Sequence, residues 1–282
     1  MKKIIALIFI LLIALSNIAT AGIFDKLDKL DNDRAKAAVN IVKTLISLDE
    51  EDEIEIGKTA GISLINKFGL YENAAAVKYI NLIGNILAEN CERSNLKFHF
   101  NILNSESINA YACPGGFIFI TLGALKFAES EDEIAGILAH EIAHITLKHE
   151  IREIKKSNIL KELSELHGQK NREVINRLSN FVLDNLLVKG RSRKDEYEAD
   201  EHSLNYIKEH NYNAELKNFL ARLAQDSGNT EKKSKLEYLT KTHPPLVERI
   251  AKLEKKSDIL QTDMSKRTAR FNYIKSTIAQ ND

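Results

Sequence analysis

The chain has no tryptophan, two cysteines and three prolines among 282 residues. So few cysteines exclude a disulfide-stapled scaffold and a cysteine-rich metal cluster. So few prolines exclude a proline-rich linker; Pro114, Pro244 and Pro245 fall in two short stretches taken up below. Neither sign of charge is in excess, with 40 Lys and Arg against 40 Asp and Glu. No basic stripe is present, so nucleic acid is not an expected partner. Past the N-terminus no apolar run approaches the ~18 residues of a membrane span. What remains, 44% hydrophobic and 28% charged residues, suits one globular domain with a sizeable core.

The N-terminus reads differently. Lys2 and Lys3 precede an apolar stretch, Ile4 to Leu15, too short for a comfortable span, and Ala19-Thr20-Ala21 follows as an A-x-A cleavage site. The pattern predicts a cleavable signal peptide over 1–21, with export to a periplasm or secretion; an uncleaved anchor is the alternative. No cysteine follows the apolar run to carry a lipid. Exported chains meet oxidising conditions, so Cys91 and Cys113 either bridge or stay two buried thiols, and spacing leaves both open.

The chain is organised around Ser130 to Glu150, SEDEIAGILAHEIAHITLKHE. The stretch reads as one helix, with Ser130 as N-cap and Glu133 completing a capping box. Glu131 and Asp132 put negative charge on the first turn, where the helix dipole favours it. Ile134, Ile137, Leu138, Ala143 and Ile145 make the helix apolar enough to bury. Inside that run, His140, Glu141 and His144 form H-E-x-x-H. The two histidines lie about 40° apart on one face, so their imidazoles can share one zinc ion, with Glu141 beside the open coordination position. His149 would lie on a different face from His144 and reads as structural or superficial.

Before that helix, the pattern predicts a charged helical segment over 22–51, a helix from Glu53 to Phe68 ended by Gly69, and a helix from Ala74 to Glu92. Both later helices are expected to pack on the metal helix. The period then changes to two. Leu96 to Leu103, Ile108 to Cys113 and Phe117 to Thr121 read as strands, with Pro114-Gly115-Gly116 as a turn and Gly123 to Ala128 as a short helix. The fold class is therefore α+β, mainly α. A small sheet beside a metal helix can take a peptide as an added strand, and Asn109, Ala110, Tyr111, Ala112 and Cys113 are the candidate edge; the alternative is an ordinary hairpin. Ile151 to Asn185 is amphipathic, with a break near Gly168 that could serve as a lid. Glu254 to Asp282 is a polar tail, partly helical, that either packs on the domain or meets a partner.

A catalytic zinc of this type needs a carboxylate as third ligand. After Gly190, Ser192 can cap a helix on which Glu196 and Asp200 share a face. Glu196 is the candidate ligand, and Asp200 can accept the N–H of a metal-bound imidazole. Glu198 as ligand, or a solvated acidic helix, are the alternatives. In THPPLVERI, His243 either approaches the zinc or caps a turn. Arg249 either stabilises an oxyanion or pairs with a core carboxylate.

Four stretches in order, NAYACPGGFIFITLGAL (Asn109 to Leu125), HEIAH (His140 to His144), SRKDEYEAD (Ser192 to Asp200) and THPPLVERI (Thr242 to Ile250), resemble the zinc metallopeptidase family of the CAAX prenyl protease, HtpX and the BepA-like periplasmic peptidases. The resemblance runs from about Asp52 to Leu253. It implies a compact gluzincin domain over 52–253, one Zn2+ per chain, and Glu196 as the third ligand. The membrane helices of some relatives and a helical repeat array are missing, and Cys113 stands where the family has an apolar residue. The expectation is an exported zinc endopeptidase, with Glu141 as the base that serves the attacking water and then the leaving amine, and His243 or Arg249 as an oxyanion donor. Unfolded or misassembled envelope proteins would be its substrates, with quality control its role and peripheral membrane or envelope-complex association a further implication. A chaperone-like binding factor with latent proteolysis is the alternative.

Overall fold

The computed structural model describes residues 48–157, 159, 172–226, 246–256 and 264–280. The expected signal peptide, nearly all of segment 22–51, Gly168 and His243 lie outside these residues. Helix α1 (Glu50–Phe68) starts at a capping box between Asp49 and Asp52 and ends at Gly69, whose φ is 75°. Helix α2 spans Ala74–Ala88 behind an Asn73 N-cap. Strands β1 (His99–Leu103), β2 (Ala110–Cys113) and β3 (Phe117–Thr121) form one sheet in the order β1-β3-β2. The β1–β3 pair is parallel and the β2–β3 pair antiparallel. Among the described residues β2 is therefore an edge strand. The turn into β3 needs Gly115, with φ 72°, because a Cβ there would sit 2.4 Å from the Ile54 Cα.

The sheet separates two cores. Ala110, Ala112, Ile118 and Ile120 face the larger one, built with α2 and helix α4 (Glu131–Thr146). Tyr111, Cys113, Phe119 and Leu103 face the smaller one, with α1 and helices α5 (His149–Lys156) and α6 (Arg172–Asp184). This alternation is the period-2 pattern of the strands put to use. It also bears on two expectations. Helix α1 packs chiefly on α6 and the Pro114–Gly116 turn, while α2 packs on α4. Cys91 and Cys113 are free, buried thiols that belong to different cores, so no bridge joins them.

A short helix α3 (Leu122–Phe127) leads into α4, which is buried along its whole length. Burial of Ile134, Leu138 and Ile142 stabilises by about 1.5–3 kcal/mol each. The Ser130 hydroxyl accepts the Glu133 N–H at 3.2 Å, as a cap should. The capping box is not completed, however: Glu133 Oε2 accepts the N–H of Glu129, one residue before the cap, and both its oxygens take Arg222. Glu131 is held by Arg270 and Tyr212, and Asp132 by Asn213 and Arg267. Three buried carboxylates on one turn would be prohibitive without such partners.

The expected single helix from Ser130 to Glu150 is two. It breaks at Lys148, which sits at φ 55° and ψ 40°. A left-handed residue with a Cβ costs about 1–2 kcal/mol. After α6, one π turn (Asn185–Lys189) and Gly190 lead to helix α7 (Arg193–Glu209), capped by Ser192 as expected. Helices α8 (Leu216–Asp226) and α9 (Leu246–Lys256) follow. The polar tail contains α10 (Ser265–Ala279), whose Phe271, Ile274 and Ile278 enter the larger core, so this part of 254–282 packs on the domain. No helix among the described residues is long and apolar enough to cross a membrane.

Candidate active site

Helix α7 packs along α4 and brings Glu196 to the two histidines of the H-E-x-x-H turn. His140 Nε2 and His144 Nε2 are 2.9 Å apart. Glu196 presents Oε2 to the first at 3.5 Å and Oε1 to the second at 3.5 Å. All three side chains are buried, and their ligand atoms lie within 4.8 Å of one another. Two imidazoles and one carboxylate converging at that spacing are a donor set that fits zinc. Glu141 is 2% exposed, and its Oε2 has no hydrogen-bond partner among the described residues. Glu198, the alternative third ligand, points elsewhere, to Arg152 at 2.7 Å.

Asp200, one turn beyond Glu196, lies 3.0 Å from His140 Nδ1 through Oδ1. Arg249, from α9, holds that carboxylate twice, Nε to Oδ2 at 2.9 Å and Nη2 to Oδ1 at 2.8 Å, and reaches Glu196 Oε2 with Nη1 at 2.8 Å. Arg249 is 2% exposed. Of its two expected roles, pairing is visible, its guanidinium being directed at two carboxylates, and the side chain also lines the recess beside His140 and Glu141. Burial and the Arg249 charge act against the His140 cation, but Asp200 and Glu196 outweigh them and raise its pKa to about 9. Burial works against the Asp200 carboxylate, yet Arg249 and His140 hold its pKa below the ordinary value.

His149 is where sequence reasoning failed. The Lys148 break turns it back, so that its Nδ1 is 2.6 Å from His144 Nδ1. It is 1% exposed, not superficial. Burial pushes its pKa down to about 4. A third histidine close behind H-E-x-x-H was the available signal, but a continuous helical wheel turned it away. Glu150 and Arg191 were also missed. They form a buried ion pair at 3.2 Å, and Arg191 Nη2 donates to the Ala112 carbonyl at 3.3 Å.

That contact bears on the edge strand. Thr121 N–H donates to the Asn109 carbonyl, so Asn109, Tyr111 and Cys113 turn their main-chain groups toward β3. Only Ala110 and Ala112, of the five expected residues, turn theirs to the free edge. Of these, Ala110 N–H is held by Asn109 Oδ1 at 2.8 Å, and Ala112 O by Arg191. The alanines are small because α4 lies against their side of the sheet. Beside Ala110, a recess reaches His140 and Glu141 and is lined by Ala124, Ile137, Leu216, Phe219 and Leu220. Its apolar wall from α8 was not foreseen.

The family model described as "Peptidase family M48" matches residues 74–257, more than half of the chain. The chain belongs to peptidase family M48. Three M48-region relatives illustrate the likeness. The beta-barrel assembly-enhancing protease of Yersinia pestis is 36% identical over 87 residues, 31% of this chain and 18% of that protein. The mitochondrial metalloendopeptidase OMA1 of Schizosaccharomyces pombe is 33% identical over 107 residues, 38% of this chain and 32% of that protein. The metalloprotease YcaL of Escherichia coli K12 is 24% identical over 160 residues, 54% of this chain and 59% of that protein. The chain thus spans about a fifth of the first of these M48 relatives and less than two thirds of each.

Proposed function

We propose that the protein is an exported zinc endopeptidase that cleaves misfolded or misassembled envelope proteins. One observation carries the catalytic reading: two imidazoles and a carboxylate converge, and a buried carboxylate stands beside them with an oxygen to spare. His140, His144 and Glu196 would hold the ion. When bound, zinc supplies a Lewis acid for the scissile carbonyl and lowers the pKa of the attacking water. Glu141 takes the proton from that water on its carboxylate and passes it to the leaving amine. Asp200 accepts the His140 Nδ1–H and holds the ring in its ligating tautomer. Arg249 acts through Asp200 and Glu196, and it also lines the recess. His243 lies outside the described residues and stays a candidate oxyanion donor. The substrate strand adds at Ala110 and Ala112, with a side chain in the apolar recess.

The envelope and quality-control role rests on the resemblance to the BepA-like periplasmic peptidases, an assembly-linked role on the printed name of the beta-barrel assembly-enhancing proteases, and export on the pattern of residues 1–21. Casein cleavage by purified protein, wild type beside Glu141→Gln, tests the reading, with zinc measured in both. The expected result is one zinc per chain in each and a fall in cleavage of about 100-fold or more in the variant. No zinc in either, or full cleavage by the variant, overturns it. A Glu141→Gln protein that keeps full biological function would shift the role to a binding factor.

A further inference from the structure

His149 is buried against a metal-ligand candidate, and the catalytic reading gives it nothing to do. Two ring nitrogens 2.6 Å apart share one proton. The direction of that hydrogen bond follows from the other side of the ring. His144 Nε2 faces His140 Nε2 and Glu196 Oε1, so a metal would need its lone pair there. The proton of His144 then sits on Nδ1 and is donated to the Nδ1 lone pair of His149. His149 in turn carries its proton on Nε2. That atom makes no hydrogen bond among the described residues, but it faces two carboxylates that favour a proton there, Glu198 Oε2 at 3.4 Å and Asp195 Oδ1 at 3.9 Å.

The groups behind it are also held. Arg152 pairs with both Asp195 and Glu198, and Ser192 donates to Asp195 Oδ2 at 2.7 Å. The backbone supplies an independent observation. Had α4 continued, five residues at about 100° each would have set His149 about 140° away from His144. It meets His144 only because Lys148 is left-handed, a conformation unfavourable for a residue with a Cβ.

We infer that His149 is a positioning residue, which accepts the Nδ1–H of His144 and, with Glu198 and Asp195 behind it, holds that imidazole in its metal-ligating tautomer. The inference rests on the zinc reading above. It gives the two ligand histidines separate supports, Asp200 for His140 and His149 for His144. A competing use of the same groups is a second ion held by His149, Asp195 and Glu198. The Arg152 guanidinium already occupies one oxygen of each carboxylate, and Lys194 Nζ lies 3.7 Å from Glu198 Oε1, which speaks against a second cation.

The test compares zinc content, the rate of zinc loss to a chelator, and the melting temperature of the metal-free protein. The proteins are wild type, His149→Ala, His149→Gln and Glu198→Gln. Wild type is expected to hold one zinc. His149→Ala should lose it about 10–100-fold faster. His149→Gln, whose amide oxygen can accept the same N–H, should recover most of that loss. Glu198→Gln, at a half-buried site with little risk to folding, should lose zinc several-fold faster with an unchanged metal-free melting temperature. An alanine variant that keeps zinc as wild type does overturns the inference. So does a glutamine variant that fails to rescue while the metal-free melting temperatures fall together, since that marks a purely structural role. Two zinc ions in wild type, falling to one in Glu198→Gln, would overturn it in favour of the second site. No zinc in wild type would remove the catalytic reading itself, and this inference with it.

Discussion

His140 and His144 stand one turn apart on the same helix, yet their surroundings have little in common. Behind His140 lie a carboxylate and a guanidinium, both buried and doubly bonded to each other. Behind His144 lies another imidazole, with a buried Asp195 and a partly exposed Glu198 one step further out. The first support is a salt bridge that raises the basicity of the ring it touches. The second is a neutral contact reached through an unfavourable backbone turn. Similar local geometry at two histidines therefore rests on opposite physics: charge compensation on one side, main-chain conformation on the other.

Substitutions can break this contrast in graded steps. The largest effect is expected from Asp200→Ala, which leaves the Arg249 guanidinium buried with a major partner gone. Such a loss costs about 3–5 kcal/mol, read as a lowered midpoint in denaturant. On the other side, His149→Ala strands no full charge and should cost about 1–3 kcal/mol in the same measurement. Equal losses at the two positions would erase the distinction. Lys148→Gly sharpens it: glycine accepts the left-handed turn freely, so the metal-free protein should gain about 1 kcal/mol or less. A loss instead would mean that the ion pair from Lys148 Nζ to the buried Glu53, 3.4 Å long, outweighs the cost of the turn.

The smallest expected effect lies outside both supports. Glu92 accepts from Tyr206 and from His202 at the far end of α7. Burial works against its carboxylate, but the hydrogen bond from Tyr206, a main-chain N–H and His202 together lower its pKa below the model-compound value of 4.5. A carboxyl depressed in the folded state stabilises above its unfolded pKa, and that contribution disappears as pH falls through the folded value. Glu92→Gln should therefore cost under about 1 kcal/mol at pH 7, given its exposure, and less at pH 3. Thermal melts at the two pH values check both the size and the sign.

What could be read in advance was local. His140, Glu141 and His144 follow from spacing on one helix, and Glu196 and Asp200 from spacing on another. The three strands followed from alternation around Phe98, Phe100 and FIFIT. The misreadings have one kind of cause. His149 escaped because a helical wheel assumes continuous helix, and no residue type announces a left-handed lysine. The Glu150–Arg191 pair and the true partners of Glu133 escaped because their charges meet across 41 and 89 positions. Whether the tail packs or meets a partner stays open in the sequence because Phe271, Ile274 and Ile278, which are buried, are spaced thinly among polar residues. The order of the strands gave an edge as expected, but which of its groups point outward depends on pairing register, and register is not written in any one strand.

The acidic first turn of α4 has a consequence for how the chain comes into being. Glu131, Asp132 and Glu133 occupy one turn, and their arginine partners arrive 139, 135 and 89 positions later. During synthesis the chain emerges from its N-terminus. The helix that bears the histidines therefore meets water before Arg222, Arg267 and Arg270 exist outside to neutralise its start. Three unpaired carboxylates oppose burial of that turn, so closure of the core around it is disfavoured until α10 has been delivered. An unfinished chain is thereby kept from presenting an assembled site to its neighbours.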